Sequence, residues 1–370
     1  MKMNIFIIYQ IDRSTVPKRP SVNSEKFTKM MDSLFQLSES VCCLWYIIPG
    51  LIIVGVFYDY ISYKTLTSVS LKDKHVLITG GSSGIGKSFA CEAARKGANV
   101  TLVARDKDKL KAAELEVKKC CIYASQRIFS CSVDVSGPYD RVEDSFADIE
   151  KDGGPIFMLT NFAGAAVCGV LEDTSPADIR KMLDLNCLGS IQTTRATIEG
   201  MKSRGEGHII LTSSLAGLFG IYGFCPYSAA KFALKGFAEA LYMEVKHSGL
   251  KVTLAFPADV DTPGFAEEEK SKPKETRLIC QSGGLFHPDV VARKILNDSL
   301  AGYFTSYIGL DGFLLTTLNA GMSQDYSFVR LLLQVFLTGP LRLVAVLYQL
   351  SFFRIIKKCR EERNKSKKAE

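Results

Sequence analysis

The sequence predicts an α/β fold: a doubly wound parallel sheet of about seven strands, with an N-terminal membrane helix and a C-terminal apolar, membrane-associated segment. Three observations predict it. Between residues 75 and 301, apolar runs of strand length alternate with helix-length stretches of mixed polarity, the pattern of a parallel sheet covered on both faces. The runs are nearly continuous in Val, Ile and Leu, as strands buried on both faces require. Apolar stretches with few or no charges lie outside this region at either end.

Residues 1–39 are polar and aperiodic, with Pro17 and Pro20, and read as a disordered leader. Residues 40–58 (SVCCLWYIIPGLIIVGVFY) carry no charge. At ~1.5 Å per residue they nearly cross a ~30 Å hydrocarbon core, which predicts a transmembrane anchor over 40–60. Trp45, Tyr46, Phe57 and Tyr58 lie towards its ends, as interfacial aromatics do, and Pro49-Gly50 predicts a kink. A catalytic domain follows over 72–312. Its expected strands are His75–Thr79, Asn99–Arg105, Ile128–Val135, Ile156–Asn161, Gly207–Ser213 and Leu250–Phe256. Its expected helices are Gly84–Gly97, Lys107–Lys119, Tyr139–Lys151, one long or two abutting helices over Pro176–Lys202, then Pro226–Lys246 and Pro288–Ala301. The membrane-associated segment spans 326–356. Its two apolar runs, 331–341 and 343–353, are split by Arg342 and broken by Gly339-Pro340, so a hairpin, a re-entrant segment or an interfacial helix is expected. Residues 357–370 form a basic tail.

Composition narrows the class. Of 370 residues 47% are hydrophobic and 23% charged, which excludes a disordered chain. Net charge is +7, but residues 354–370 alone hold eight Lys/Arg against three Glu. The rest is nearly neutral, so no nucleic-acid partner is expected. The 11 cysteines have no regular spacing; they read as free thiols of a reducing compartment, with no metal site. The sequons at Asn99, Asn297 and Asn364 are then expected to be bare.

The first strand runs directly into Thr79-Gly80-Gly81-Ser82-Ser83-Gly84-Ile85-Gly86 and a helix. Glycines there allow a tight turn and let backbone approach a pyrophosphate, whose charge faces the helix N-terminus. Gly80, Ser82, Ser83, Gly84, Ile85 and Gly86 are therefore cofactor-binding candidates in a Rossmann-type sheet. The second strand ends Val103-Ala104-Arg105, without the acid that a free ribose 2′-hydroxyl wants. Arg105, with Lys109 a turn later, suits a 2′-phosphate, which favours NADP(H) over NAD(H). Tyr-x-x-x-Lys, which puts both side chains on one helix face, occurs as Tyr60/Lys64, Tyr227/Lys231 and Tyr242/Lys246.

The TGxxxGxG turn resembles that of the short-chain dehydrogenase/reductase family. The resemblance implies a Ser 13 residues before the catalytic Tyr. Those positions hold Ile47, Ser214 and Ala229, so only Tyr227/Lys231 qualifies, with neighbouring Ser213 an alternative to Ser214. It implies Asn186, in Asn186-Cys187-Leu188-Gly189, as fourth catalytic member, anchoring a water that links Lys231 to solvent. Asp134 would hold the adenine, Tyr227 and Lys231 would also meet the cofactor, and Asn161 would brace the sheet. Tyr227 would donate the proton in ketone reduction. Its pKa of ~10 would need to fall to ~7, about 4 kcal/mol, which Lys231 at ~4 Å and a cationic nicotinamide could supply.

One stretch is more particular: Asp259-Val260-Asp261-Thr262-Pro263-Gly264-Phe265, then Lys272-Pro273-Lys274-Glu275-Thr276. With Gly309-x-Asp311-Gly312 and Gly321-Met322, it resembles a membrane-bound branch of the family, over roughly 74–360. That branch reduces the long-chain ketone lipid 3-ketodihydrosphingosine with NADPH in sphingolipid biosynthesis. Phe162 and Ala258 depart from the branch pattern. The alternatives are a membrane-anchored retinol or steroid dehydrogenase of the same superfamily and, more remotely, a non-catalytic NADP-binding regulator. Lys367-Lys368 near the terminus resembles a dilysine retrieval signal and implies the endoplasmic reticulum membrane, with the catalytic domain and tail on the cytosolic side. The domain and tail then share a side, and the C-terminal apolar runs cross zero or two times. A homodimer is left open.

Overall fold

Seven strands lie side by side in one parallel sheet, in the order β3-β2-β1-β4-β5-β6-β9. The computed structural model describes residues 29, 50, 52–324 and 327–369. The leader and the first half of the expected anchor lie outside the described residues. Strands β1 (His75–Thr79), β2 (Asn99–Ala104), β3 (Ile128–Ser132), β4 (Ile156–Asn161), β5 (Gly207–Thr212) and β6 (Leu250–Phe256) fall within the expected runs. The seventh, β9 (Thr305–Tyr307), is three residues long and pairs with β6, too short to show a period in sequence. Two further two-residue strands, β7 (Asp259–Val260) and β8 (Leu285–Phe286), pair with each other outside the main sheet.

The sheet is covered on both faces, as its apolar strands demand. On one side Val76, Ile78, Val100 and Leu102 pack against α2 (Gly84–Arg95), α3 (Lys107–Lys118) and α10 (Pro288–Ala301). On the other Leu77, Leu159, Ile209 and Leu254 pack against α4 (Tyr139–Gly153), α6 (Gly189–Arg204) and α7 (Cys225–Val245). The order reverses between β1 and β4, so the connections leaving those strands diverge and open a crevice at the carboxyl edge.

The expected helix over 176–202 is interrupted. After α5 (Pro176–Leu183) the chain makes a π turn, Asp184–Leu188, before α6. The extra residue carries buried Asn186 inward, a recurrent use of π bulges.

Both ends of the chain depart from expectation. Residues 52–67 form a helix, α1, which runs past residue 60 because Tyr63 stacks on Tyr303 with ring centres 5.5 Å apart. The boundary expected at 312 cuts α11 (Gly309–Leu318) in mid-helix. The C-terminal segment is one helix, α12 (Phe328–Ala369), with Pro340 inside it, rather than two runs broken at Gly339-Pro340. Proline removes one backbone bond at a cost of ~3 kcal/mol. Here Thr338 donates to Gln334 O (2.6 Å) and to Thr317 O of α11 (3.4 Å), and tertiary packing holds the helix through the break. The basic residues expected to form a separate tail are its last turns.

Two histidines bury neutral rings in this core. His75 Nδ1 donates to Gly154 O (2.7 Å), leaving Nε2 to accept from Thr101 Oγ1 (2.8 Å). Burial lowers its pKa, and burial with nearby Lys251 takes His208 to about 3. Below about pH 6.5 the unfolded chain protonates these rings and the folded one does not, so stability is full above that pH and lost as pH falls. The slope approaches about 1.4 kcal/mol per pH unit for each ring. The urea midpoint of the detergent-solubilised protein is expected to drop from pH 7 to pH 5, and less steeply in His75→Gln. An equal slope in that variant would contradict the assignment.

Candidate active site

The crevice between β1 and β4 deepens into a cavity of about 850 Å³. Every residue singled out from the sequence as a catalytic or cofactor-binding candidate lines it. Neither Tyr60/Lys64 nor Tyr242/Lys246 does. Tyr242 instead accepts from Lys246 Nζ (2.7 Å) and packs edge-on against Phe304.

The nucleotide half is built by β1, the turn after it and α2. Gly80 has φ +67, and a Cβ there would lie 2.7 Å from Ala163 N. A Cβ on Gly86 would collide with the Gly80 carbonyl, so only glycine lets α2 start this close to β1. Ser83 caps α2 with extended backbone and no side-chain bond, leaving first-turn N–H groups directed at the cavity. This cradle fits a pyrophosphate. Arg105 and Lys109 line the far end. Asp106 lies between them, and its carboxylate is committed to capping α3 through Asp108 N (3.1 Å) and Lys109 N (3.0 Å). Lys109 Nζ lies 3.4 Å from that carboxylate, so Arg105 is the less encumbered of the two cations. Asp134 accepts from Ser136 N and Oγ at 3.0 and 2.6 Å. Burial alone would raise its pKa, but these bonds and Arg105 hold it below the ordinary carboxylate value.

At the other end, the start of α7 presents Tyr227 and Lys231 on one face. The two serines after β5 part company. Ser213 is buried and donates to Lys231 O (2.9 Å). Ser214 accepts from Ala216 N (3.2 Å) and sits close enough to the Tyr227 hydroxyl to pull its pKa down. Lys231 Nζ donates to Thr212 O (2.9 Å), 5.6 Å from the Tyr227 ring centre. Asn186 donates to Ala165 O (2.8 Å) and Met182 O (3.0 Å) and accepts from Ala165 N (3.2 Å). It therefore clamps the segment after β4, and only its Oδ1 has capacity left for a water. Asn161 accepts from Thr193 Oγ1 (2.7 Å), tying β4 to α6.

The electrostatics are those of the cofactor-free cavity, whereas the fall expected for Tyr227 counts on a cationic nicotinamide as well as Lys231. Tyr227 is pushed above its ordinary pKa, first by burial and then by the charge on Glu268, with Ser214 pulling the other way. Lys231 is not among the main influences on it in the cofactor-free cavity. Its own pKa falls to about 8 through burial, and its ammonium is turned to the Thr212 carbonyl.

The Asp259–Thr276 stretch, noticed as a motif, has a physical account. Thr262 caps α8 (Pro263–Ser271) through Phe265 N (3.1 Å). Lys272 is buried among Glu268 (2.9 Å), Asp259 (3.9 Å) and Glu269. Thr276, on α9 (Lys274–Cys280), donates to Tyr222 O (2.7 Å), and buried Glu275 pairs with Arg363 of α12. The stretch folds into a braced flap, with Glu268 and Asp259 beside Tyr227. Sequence reasoning missed these two as cavity residues; Lys272, four residues after Glu268, was the available signal. It also missed the outer wall, where Leu314 and Leu318 of α11 face Leu341, Ala345 and Phe352 of α12.

The family profile described as short chain dehydrogenase matches residues 74–273, the region that builds this cradle and the Tyr227/Lys231 helix. The chain belongs to that family. A 3-dehydrosphinganine reductase of Danio rerio is 42% identical over 325 residues, 88% of this chain and 97% of the relative. A 3-ketodihydrosphingosine reductase of Mus musculus is 43% identical over 297 residues, 80% and 90% of the respective chains. A 3-dehydrosphinganine reductase of Arabidopsis thaliana is 38% identical over 300 residues, 80% and 90%. The crystal structure of levodione reductase superposes with a TM-score of 0.59 at 23% identity, covering 66% of this chain and 99% of that one; it speaks to the fold alone. Short-chain dehydrogenases use a nicotinamide cofactor, and the cradle described above fits one.

A buried ammonium near pKa 8 costs stability at neutral pH. Between about pH 8 and 10.5 the unfolded chain binds the extra proton, so stability rises with pH across that window. Lys231→Met is expected to raise the stability of the cofactor-free protein at pH 7 by about 2 kcal/mol, allowing for the lost bond to Thr212. The gain should shrink at pH 10. Thermal unfolding at the two pH values checks this, and a less stable variant at pH 7 would contradict it.

Proposed function

We propose that the chain is an NADPH-dependent 3-ketodihydrosphingosine reductase, converting that long-chain amino ketone to dihydrosphingosine. The observation that carries this reading is the reach of the similarity. Relatives named for the reaction match over 325 residues, well beyond the 74–273 family region. The similarity therefore reaches past the nucleotide-binding core.

The residues fit the chemistry as follows. The turn Gly80–Gly86 and the free N-terminus of α2 would hold the pyrophosphate, Arg105 the 2′-phosphate, and Asp134 the adenine. When bound, the nicotinamide supplies the hydride. Ser214 holds the ketone oxygen, and Tyr227 gives it a proton. Tyr227 is protonated at neutral pH, as a proton donor must be, but burial in the cofactor-free cavity makes it a weaker acid than free tyrosine, so donation relies on the charge that the bound, oxidised nicotinamide and Lys231 would bring to the phenolate. Lys231 lies close enough for its ammonium to steady the developing phenolate, and the pKa near 8 lets it pass a proton on. Asn186 acts as a positioning residue through Ala165, with its Oδ1 available to a water in the relay.

Localisation follows from the same reading: the endoplasmic reticulum membrane, catalytic domain facing the cytosol. The nine described cysteines are all free thiols, and Lys367-Lys368 at the basic end suit a retrieval signal read from that side. Protease added to sealed microsomes should digest both the Tyr227 region and a C-terminal tag. Protection of either would overturn the topology.

Purified protein supplied with NADPH should reduce 3-ketodihydrosphingosine in strong preference to retinal or a 3-ketosteroid; comparable turnover of all three would sink the substrate assignment. Tyr227→Phe should lower kcat by about 10²–10⁴ with NADPH binding retained. Arg105→Asp should lose about 10- to 100-fold in kcat/KM for NADPH and little for NADH. A wild type indifferent between the two cofactors would refute the role given to Arg105.

A further inference from the structure

The cavity has an outer wall that the nucleotide-binding fold does not need. Arg342, Ala345, Gln349 and Phe352, on one side of α12, face the cavity, and Phe352 stacks on Phe219 at 6.3 Å. The opposite side is apolar and bare: Phe336 is 70%, Leu343 72% and Leu347 66% exposed. Polarity is thus inverted relative to a helix packed on a soluble domain.

Both ends of α12 are fastened to the same domain. At the start, Asp59 of α1 accepts from Ser327 Oγ (2.8 Å) and Val329 N (3.0 Å), and Arg330 donates to Thr305 O of β9 (2.7 Å). At the end, Lys274 pairs with Glu362 at 2.7 Å, Arg363 pairs with buried Glu275, and Cys359 is buried. From 327 to 363 is about 54 Å of helix. A helix crossing a ~30 Å core would carry one end away from the domain; this one returns to it. The basic residues of its last turns suit anionic headgroups.

We propose that α12 lies flat in the membrane interface as the outer wall of the catalytic cavity. The aliphatic tail of the substrate then passes between α11 and α12, so that the ketone is loaded sideways from the bilayer. Leu314 and Leu318 on one side and Leu341, Ala345 and Phe352 on the other line the cavity there, with Arg342 and Gln349 the polar side chains that α12 adds to the same wall. The tail stays among apolar side chains throughout, avoiding about 0.8 kcal/mol per CH₂ of exposure to water. The identity of the tail rests on the functional reading above; the attitude of the helix does not.

The test uses the full chain in vesicles of phosphatidylcholine and phosphatidylserine. In a Trp45→Phe background, which removes the chain's one tryptophan, Phe336→Trp and Leu347→Trp are quenched by phosphatidylcholine brominated at successive acyl positions. The two sites are about 16 Å apart along the axis. Equal, shallow depths are expected. Depths that differ by most of that distance, or no quenching at either site, would overturn the flat helix. Second, a long-chain 2-amino-3-ketone with a diazirine at its tail end is photolysed with the enzyme. Label is expected on α11 and α12 peptides and should be largely lost in Ala345→Trp. Label confined to other elements, or none, would overturn the passage. Failure of turnover with labelling and depth intact would overturn the functional reading alone.

Discussion

Seven strands running the same way impose most of what this molecule can do. Parallel strands need crossover helices, the helices must cover both faces, and every strand then ends at the same edge. Because the order reverses between β1 and β4, the connections at that edge separate and leave a crevice. The turn after β1 delivers uncapped N–H groups to it, the end of β2 delivers Arg105, the end of β5 delivers Ser214, and α7 delivers Tyr227 and Lys231. The glycine turn, Arg105 and the Ser214/Tyr227/Lys231 group come from well-separated parts of the chain. The glycines at 80 and 86 are the local condition for this geometry, since a Cβ at 80 would collide with the Phe162–Ala163 backbone after β4 and one at 86 with the Gly80 carbonyl, forcing α2 away from β1.

Burial sets the electrostatic character of the site. Desolvation disfavours charge on either member of the pair, raising Tyr227 and lowering Lys231. A simple pairing argument, with an ammonium ~4 Å from a phenol, predicts the opposite sign for the tyrosine. In the cofactor-free cavity burial of the phenol outweighs it, Glu268 adds negative charge, and Lys231 is satisfied by a strand carbonyl. The cofactor-free cavity therefore holds a protonated tyrosine beside a lysine whose pKa lies nearer neutrality, and releasing the tyrosine's proton depends on charge supplied to the cavity when the nicotinamide is bound.

The flap and α12 are coupled through buried charge. Lys272 is surrounded by carboxylates, and Glu275 reaches Arg363 of the C-terminal helix. A buried carboxylate left unpaired is costly, so the flap over the cavity and the end of the helix that walls it hold each other in place.

The alternation of strand and helix, the glycine turn, the missing acid before Arg105 and the Ser214/Tyr227/Lys231 spacing were all legible in the sequence. The strand and glycine-turn signals and the Tyr227/Lys231 pair are local, imposed by backbone sterics and helix period, while the Ser214 offset is what the family resemblance implies. The choice among three Tyr-x-x-x-Lys pairs was also legible, because Ile47 and Ala229 offer no hydroxyl. Tertiary structure alone decided the rest. Ser213 and Ser214 are equivalent in sequence, and only the approach of α7 turns one to a backbone carbonyl and the other to Tyr227. Strand β9 is three residues held by β6, without a pattern of its own. Gly339-Pro340 reads as a break, yet the helix continues because contacts with α1, α9 and α11 outweigh one lost hydrogen bond. The upward shift of Tyr227 comes from burial and is enlarged by Glu268, forty-one residues away in the chain, because electrostatic energy follows distance in space and the depth of burial, neither of which is written in residue order.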